Sequence, residues 1–172
     1  RRAELGLASY GAFPALAGER NWSPVAAQRA LPLFLAGIPE EVLQPPINGL
    51  RLSLQPQGLG NRIEKLGEWR AHVFERLQRQ IDMANDEGLA ELLKELEAFP
   101  CGRQPAEGYD AEFGGLIVPL KIRTDAGTLS FFTATTVFGT AVDITFSELM
   151  IESFMPGDAF TAETVREMAD NA

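Results

Sequence analysis

Arg70 is the residue whose position most invites chemistry. It stands in the stretch Arg62 to Ala84, where Ile63, Leu66, Trp69, Val73, Phe74, Leu77 and Ile81 recur at helical spacing. At ~100° per residue those side chains span an arc of ~140°, and Arg70 falls ~30° from its middle. A guanidinium there must snorkel to water, pair with a buried carboxylate, or meet an anion brought in from outside. The third case is the chemistry of a cap for the acidic end of an apolar ligand, because a guanidinium offers a carboxylate two parallel hydrogen bonds.

The other reactive residue types lack partners. His72, the single histidine, lies roughly opposite the apolar stripe and reads as a surface residue. With no second histidine and no cysteine nearby in sequence, neither a zinc site nor a Cys-His nucleophile can be assembled around it. Cys101, in a Pro-Cys-Gly loop, reads as an ordinary free cysteine. Asp143, Glu148 and Glu152 would make an acid/base group only together, and Asp143 alternates with Val142 and Ile144, which places it on a solvated face. Gly58 and Gly60 precede Asn61 without the Lys-Ser/Thr of a phosphate loop. No catalytic constellation emerges, and an enzyme is not expected. The aromatic side chains of Phe131, Phe132, Phe138, Phe146 and Phe154, with Trp69 and Phe74, would enclose either a plain core or a cavity of the kind that takes a lipid.

Elements that position these residues follow from periodicity. Between Gly114 and Pro156 apolar residues alternate with polar or small ones in three runs: Leu116 to Ile122, Leu129 to Thr136 and Ala141 to Phe146. Turn residues Thr124-Asp125-Ala126-Gly127 and Gly139 separate the runs, so the strands are an antiparallel meander with one face to be covered. Phe13 to Gly18 and Trp22 to Ala27 form two earlier strands around the turn Glu19-Arg20-Asn21, with Pro14 and Pro24 confining them to edge or early positions. Helices are expected over Gln28 to Leu35, from Pro39-Glu40-Glu41 to the Pro45-Pro46 stop, over Arg62 to Ala84, over Leu89 to Phe99 and over Thr161 to Met168. Ile47 to Leu54 fits a strand and a helical turn equally, and Pro100 to Gly115 is a loop. The order makes an α+β fold, a five-stranded antiparallel sheet covered by helices, as in PAS-type sensory domains.

Composition bounds the function. With 172 residues the chain can bury a real core as one domain, and 45% hydrophobic against 23% charged residues fits a globular protein. A net charge of -9 excludes holding nucleic acid through this surface. One cysteine excludes an internal disulfide and fits a reducing, cytoplasmic compartment. No apolar run is long enough to span a bilayer, so no membrane partner is expected. A start at Arg1-Arg2 without Met is what a piece of a longer chain would show.

Three runs carry a family resemblance: NWSPVAAQRALPLFLAG (Asn21 to Gly37), PPINGLRLSLQPQGLGNRIEKLGEWRAHVFERLQRQ (Pro45 to Gln80) and VPLKIRTDAGTLSFFTATTVFGTAVDITFSELMIESFMPGD (Val118 to Asp158). Their Asn-x-Leu-Arg-Leu segment, Glu-Trp-Arg helix and Ser-Phe-Phe-x-x-x-Thr-Val-Phe-Gly-Thr strand resemble the MmyB-like ligand-binding domain. That domain lies at the C-terminal end of Xre-type helix-turn-helix transcription regulators, particularly of actinobacteria. Gln28 stands where family members often carry Asn. The resemblance implies a PAS-like fold over residues 13–160, with a linker or short helix over 1–12 and a terminal helix or tail over 161–172. It also implies a fatty-acid-like ligand in the core, and a DNA-binding domain before Arg1 through which alone DNA is met. The motif arginines are Arg70 and Arg51, the expected holders of an acidic head, with Trp69, Val73, Leu77, Phe131, Phe132 and Phe146 around the tail. No cofactor is expected beyond a bound fatty acid, and self-association into a homodimer stays open. The rival expectation is a PAS-like dimerisation module with a solid core.

Overall fold

The sheet is assembled from both ends of the chain. In a computed structural model, which describes residues 7, 11, 13–27, 32–101, 118–137 and 149–170, strands β1 (Ala15–Glu19) and β2 (Pro24–Ala27) form a hairpin. Strands β3 (Leu120–Thr124), β4 (Gly127–Val137) and β5 (Leu149–Pro156) complete an antiparallel sheet in the order β2-β1-β5-β4-β3. Helices α1 (Pro32–Leu35), α2 (Gly49–Leu54), α3 (Leu66–Ala84) and α4 (Glu87–Glu97) lie between the two sets of strands, and α5 (Ala159–Asp170) follows them. This is an α+β fold of the PAS-like kind.

Side-chain chemistry explains the elements that periodicity left open or misplaced. Ile47 to Leu54 is settled as helix by Asn48, whose side chain accepts from the N–H groups of Leu50 and Arg51 at 3.0 and 3.1 Å. The amide of Asn48 also donates to the Asn21 carbonyl at 2.7 Å, which ties the start of α2 to the β1–β2 turn. The long helix begins at Leu66, not at Arg62 as expected. Residues 62–64 run beside β3 instead: Ile63 bridges Ile122, Glu64 N–H donates to the Lys121 carbonyl, and Arg123 N–H donates to the Arg62 carbonyl, both at 2.9 Å. Ile63 is therefore buried by the sheet edge and not by the helical stripe. Asn85, in the left-handed conformation, ends α3, and Asp86 caps α4 by accepting from Gly88 and Leu89.

Strand β5 is the central strand, and its alternation is hidden because both faces are covered. Met150, Ile151, Glu152 and Ser153 are all buried. The expected strand Ala141 to Phe146 lies outside the described residues, as do Phe138, Asp143, Phe146 and Glu148, residues 28–31, most of Arg1 to Ala12 and most of Pro100 to Gly115.

The core sits between α3 and one face of the sheet. Trp69, Val73 and Leu77 join Leu120, Ile122, Leu129 and Phe131 in one cluster, to which Phe34, Leu50, Leu54 and Leu59 from the short helical segments also belong. On the opposite face Ala15, Ala17 and Ile151 are covered with Leu7. Between α2 and α3 the chain makes one kinked turn (Pro56–Gly60), closed by the Gly60 N–H donating to the Gln55 carbonyl at 3.1 Å and so tight that a Cβ on Gly58 would lie 2.2 Å from the Leu52 carbonyl oxygen.

Candidate functional site

Helix α3 presents an apolar stripe whose one edge is not apolar. Trp69 and Arg76 stand two turns apart on it, and both line a cavity of about 100 Å³ between the helix, the sheet and the short helical segments. Leu16, Phe34, Leu50, Leu52, Leu59, Leu120, Ile122 and Phe154 supply apolar wall, and Trp22, Arg76 and Glu152 close one end. Phe34 packs against Phe131 and Phe154 with ring centroids 5.1 and 5.0 Å apart, which fixes the aromatic floor.

Two features of the wall are unusual. Trp69 is only 5% exposed, yet its indole Nε1–H has no hydrogen-bond partner among the described residues. A buried donor left unmade costs about 1–3 kcal/mol, so an acceptor that reached it would recover that energy. Glu152 is a buried carboxylate in an otherwise apolar surround, and it is compensated by Arg76: Nη1 donates to Oε1 at 3.0 Å and Nη2 to Oε2 at 2.9 Å. Thr135, directly opposite Glu152 on β4, donates to Oε2 at 2.6 Å and accepts from Arg76 Nη2. The pair links α3 to the middle of the sheet.

Trp22 and Arg76 also line a second, open cleft of about 230 Å³, shared with Arg20, Arg79, Gln80, Met83 and Val137. They are thus the wall between cleft and cavity. The Arg76 guanidinium lies over the Trp22 ring at 4.9 Å, and Trp22 Nε1–H donates to Gln80 Oε1 at 2.9 Å. Trp22 has a φ of 66°, a left-handed conformation that is strained for a bulky side chain. Asn48 and the Gly49 N–H hold the loop in it through the carbonyls of Asn21 and Trp22. Such strain persists only where its surroundings impose it, and it clusters at functional sites.

The arginines singled out by sequence lie away from this cavity. Arg70 Nη1 and Nη2 donate to the carbonyls of Phe99 and Glu97 at 2.8 and 2.6 Å, and its guanidinium stacks on Phe74 at 5.0 Å. It thereby serves the C-terminal end of α4, where free carbonyls collect. Arg51 makes a bidentate pair with Glu95 on α4 at 2.6 and 2.7 Å. That hydrogen bond holds the Glu95 carboxyl below its ordinary pKa and raises the Arg51 guanidinium.

Of the expected tail residues, Trp69 lines the cavity, while Val73, Leu77 and Phe131 are fully buried in the cluster beside it. Phe132, paired with Met155, faces the other side of the sheet from Phe131, because neighbours in a strand alternate. Phe146 lies outside the described residues.

His72 is half-buried and not a plain surface residue: its ring lies 5.6 Å from Trp69. Burial first, and the Arg76 charge second, push its pKa below that of an ordinary imidazole. Among the described residues no three His, Cys, Asp or Glu side chains are grouped to hold a metal ion, and no helix is long and apolar enough to cross a membrane.

Residues 2–168 match the family model of the MmyB-like transcription regulator ligand binding domain. No curated protein matches the chain.

Proposed function

The chain belongs to the family of MmyB-like transcription regulator ligand binding domains, and from that premise we propose that it senses a single-tailed amphiphile, a fatty acid or a close derivative, between α3 and the sheet. The observation that carries this reading is the apolar cavity, walled in part by a tryptophan whose buried indole N–H has no partner among the described residues. A tail would lie along Leu50, Leu59, Ile122 and Phe154, and a polar head would sit at the Trp69–Arg76 edge. The open cleft beyond Trp22 is the route of entry.

The cavity volume of about 100 Å³ falls short of the ~300–1,000 Å³ of ordinary ligand sites. Filling it with an acyl chain therefore requires α3 and the short helical segments to move from the sheet. This movement is the signal: a ligand that binds the parted state better shifts the population towards it, and an attached helix-turn-helix domain of the Xre type, acting on DNA in the cytoplasm, responds. The small volume also favours a second reading, a PAS-like dimerisation module with a solid core.

Native mass spectrometry of the purified domain, with a thermal-shift panel of fatty acids and their neutral derivatives, separates the two. Co-purified lipid or a raised melting temperature supports the sensor, because a ligand bound to the native state adds stability. A lipid-free domain that no compound stabilises, and that forms a stable dimer, supports the module.

A further inference from the structure

The polar end of the cavity is an ion pair and not a lone cation. Glu152 is 7% exposed and takes both guanidinium ends of Arg76, so the formal charge facing the cavity at this point is zero. Among the described residues the other arginines nearby, Arg20 and Arg79, line the outer cleft beyond the Trp22 wall, Arg79 is paired with Glu75, and burial holds the neighbouring His72 below the ordinary imidazole pKa. A free carboxylate entering the cavity would put a second negative charge beside Glu152 in a water-poor site. Like charges so placed disfavour the charged forms strongly.

A donor, by contrast, is left over there. The Trp69 indole N–H has no partner among the described residues, and the Arg76 guanidinium, which carries five N–H donors, makes three bonds to Glu152 and Thr135. A neutral head with an acceptor oxygen, such as an ester, amide or lactone carbonyl, meets that donor and no added repulsion.

Resting on the reading of the cavity as a ligand seat, we propose that Glu152 sets the charge of the ligand: the domain takes a neutral, acceptor-headed acyl derivative and rejects the free acid.

The test is calorimetric titration of the native chain at neutral pH with decanoic acid, its methyl ester and its amide, followed by the same titrations on Glu152→Gln. The native chain is expected to bind the ester and amide at least ~10-fold more tightly than the acid, since one such factor is a modest share of the repulsion between two close carboxylates. Glu152→Gln keeps an acceptor for Arg76 but removes the charge, and is expected to bring the acid level with the ester or ahead of it. The native ranking needs no variant, so the proposal stays testable if Glu152→Gln folds poorly. Equal or tighter binding of the acid by the native chain, with the ester still bound, overturns the charge rule and leaves the ligand reading standing. So does acid binding that Arg20→Ala abolishes and Glu152→Gln leaves unchanged, for then the head rests in the outer cleft. If none of the three compounds binds, the ligand reading itself falls, and the proposal with it.

Discussion

A guanidinium on an apolar helix face is identified by its partners, and the two arginines of α3's apolar stripe, Arg70 within it and Arg76 at its edge, have different ones. Arg70 spends its donors on the carbonyls of Phe99 and Glu97 at the end of α4. Arg70→Ala should therefore lower stability by about 1–2 kcal/mol in chemical denaturation, while leaving ligand affinity unchanged in the thermal-shift panel. A loss of affinity without loss of stability would return the head group to Arg70. Arg76 was legible in part: it stands ~20° beyond Trp69 on the same wheel, at the edge of the stripe. Its partner Glu152 is far away in sequence, and nothing local to either residue announces the other. His72 adds a titration. Its pKa in the folded chain lies below the ordinary ~6.5, so below that pH the unfolded chain binds more protons than the folded one. Stability should be full above pH ~6.5 and fall as the pH drops through the window between the unfolded and folded pKa values. His72→Gln should flatten the melting temperature in that window. The Arg51–Glu95 pair acts in the same direction but at more acid pH, where the carboxylate takes up its proton.

Among the elements, those that carry their own instructions were readable and those defined by distant neighbours were not. The β1–β2 hairpin, the α3 stripe and the β3–β4 pair each follow from local periodicity and turn residues. Strand β5 does not, since a central strand buried on both faces loses the alternation that marks an edge. Residues 62–65 were absorbed into the helix for a related reason: Ile63 has the spacing of the stripe, and only β3 reveals that it is bridged to Ile122. The kinked turn before it, Pro56–Gly60, is set by steric fit. Gly58 and Gly60 pack under the carbonyls of Leu52 and Leu54, where a Cβ would stand at 2.2 and 2.6 Å from oxygen. Those oxygens are backbone and cannot swing aside. Gly58→Ala should accordingly cost ~3 kcal/mol or more, among the severe single substitutions. Denaturant midpoints compared with Gly88→Ala, on the exposed first turn of α4, would check it, and similar midpoints for the two would show that the turn yields.

At the scale of the whole molecule the question is whether the space under α3 is a seat or a residue of imperfect packing. The two readings make opposite forecasts for one substitution. Leu52 lines the cavity and is only half-buried, so a larger side chain there can reach inward from the rim. If the space of about 100 Å³ is kept for a guest, Leu52→Phe fills it in advance: stability rises or holds, and binding of acyl compounds is lost. If the interior is already packed, the same phenyl ring has nowhere to go and should cost ~1–3 kcal/mol, as overpacked cores do. Both tryptophans of the chain, Trp22 and Trp69, lie in the cavity wall, so intrinsic fluorescence reads occupancy and denaturation in the same sample. Trp22→Phe would leave Trp69 as the sole reporter. Its emission should respond to an acyl amide in the native background and stay silent once Leu52→Phe is added. A stabilised Leu52→Phe variant that still binds would mean that ligand enters by another route, and that the seam between α3 and the sheet is not where the signal starts.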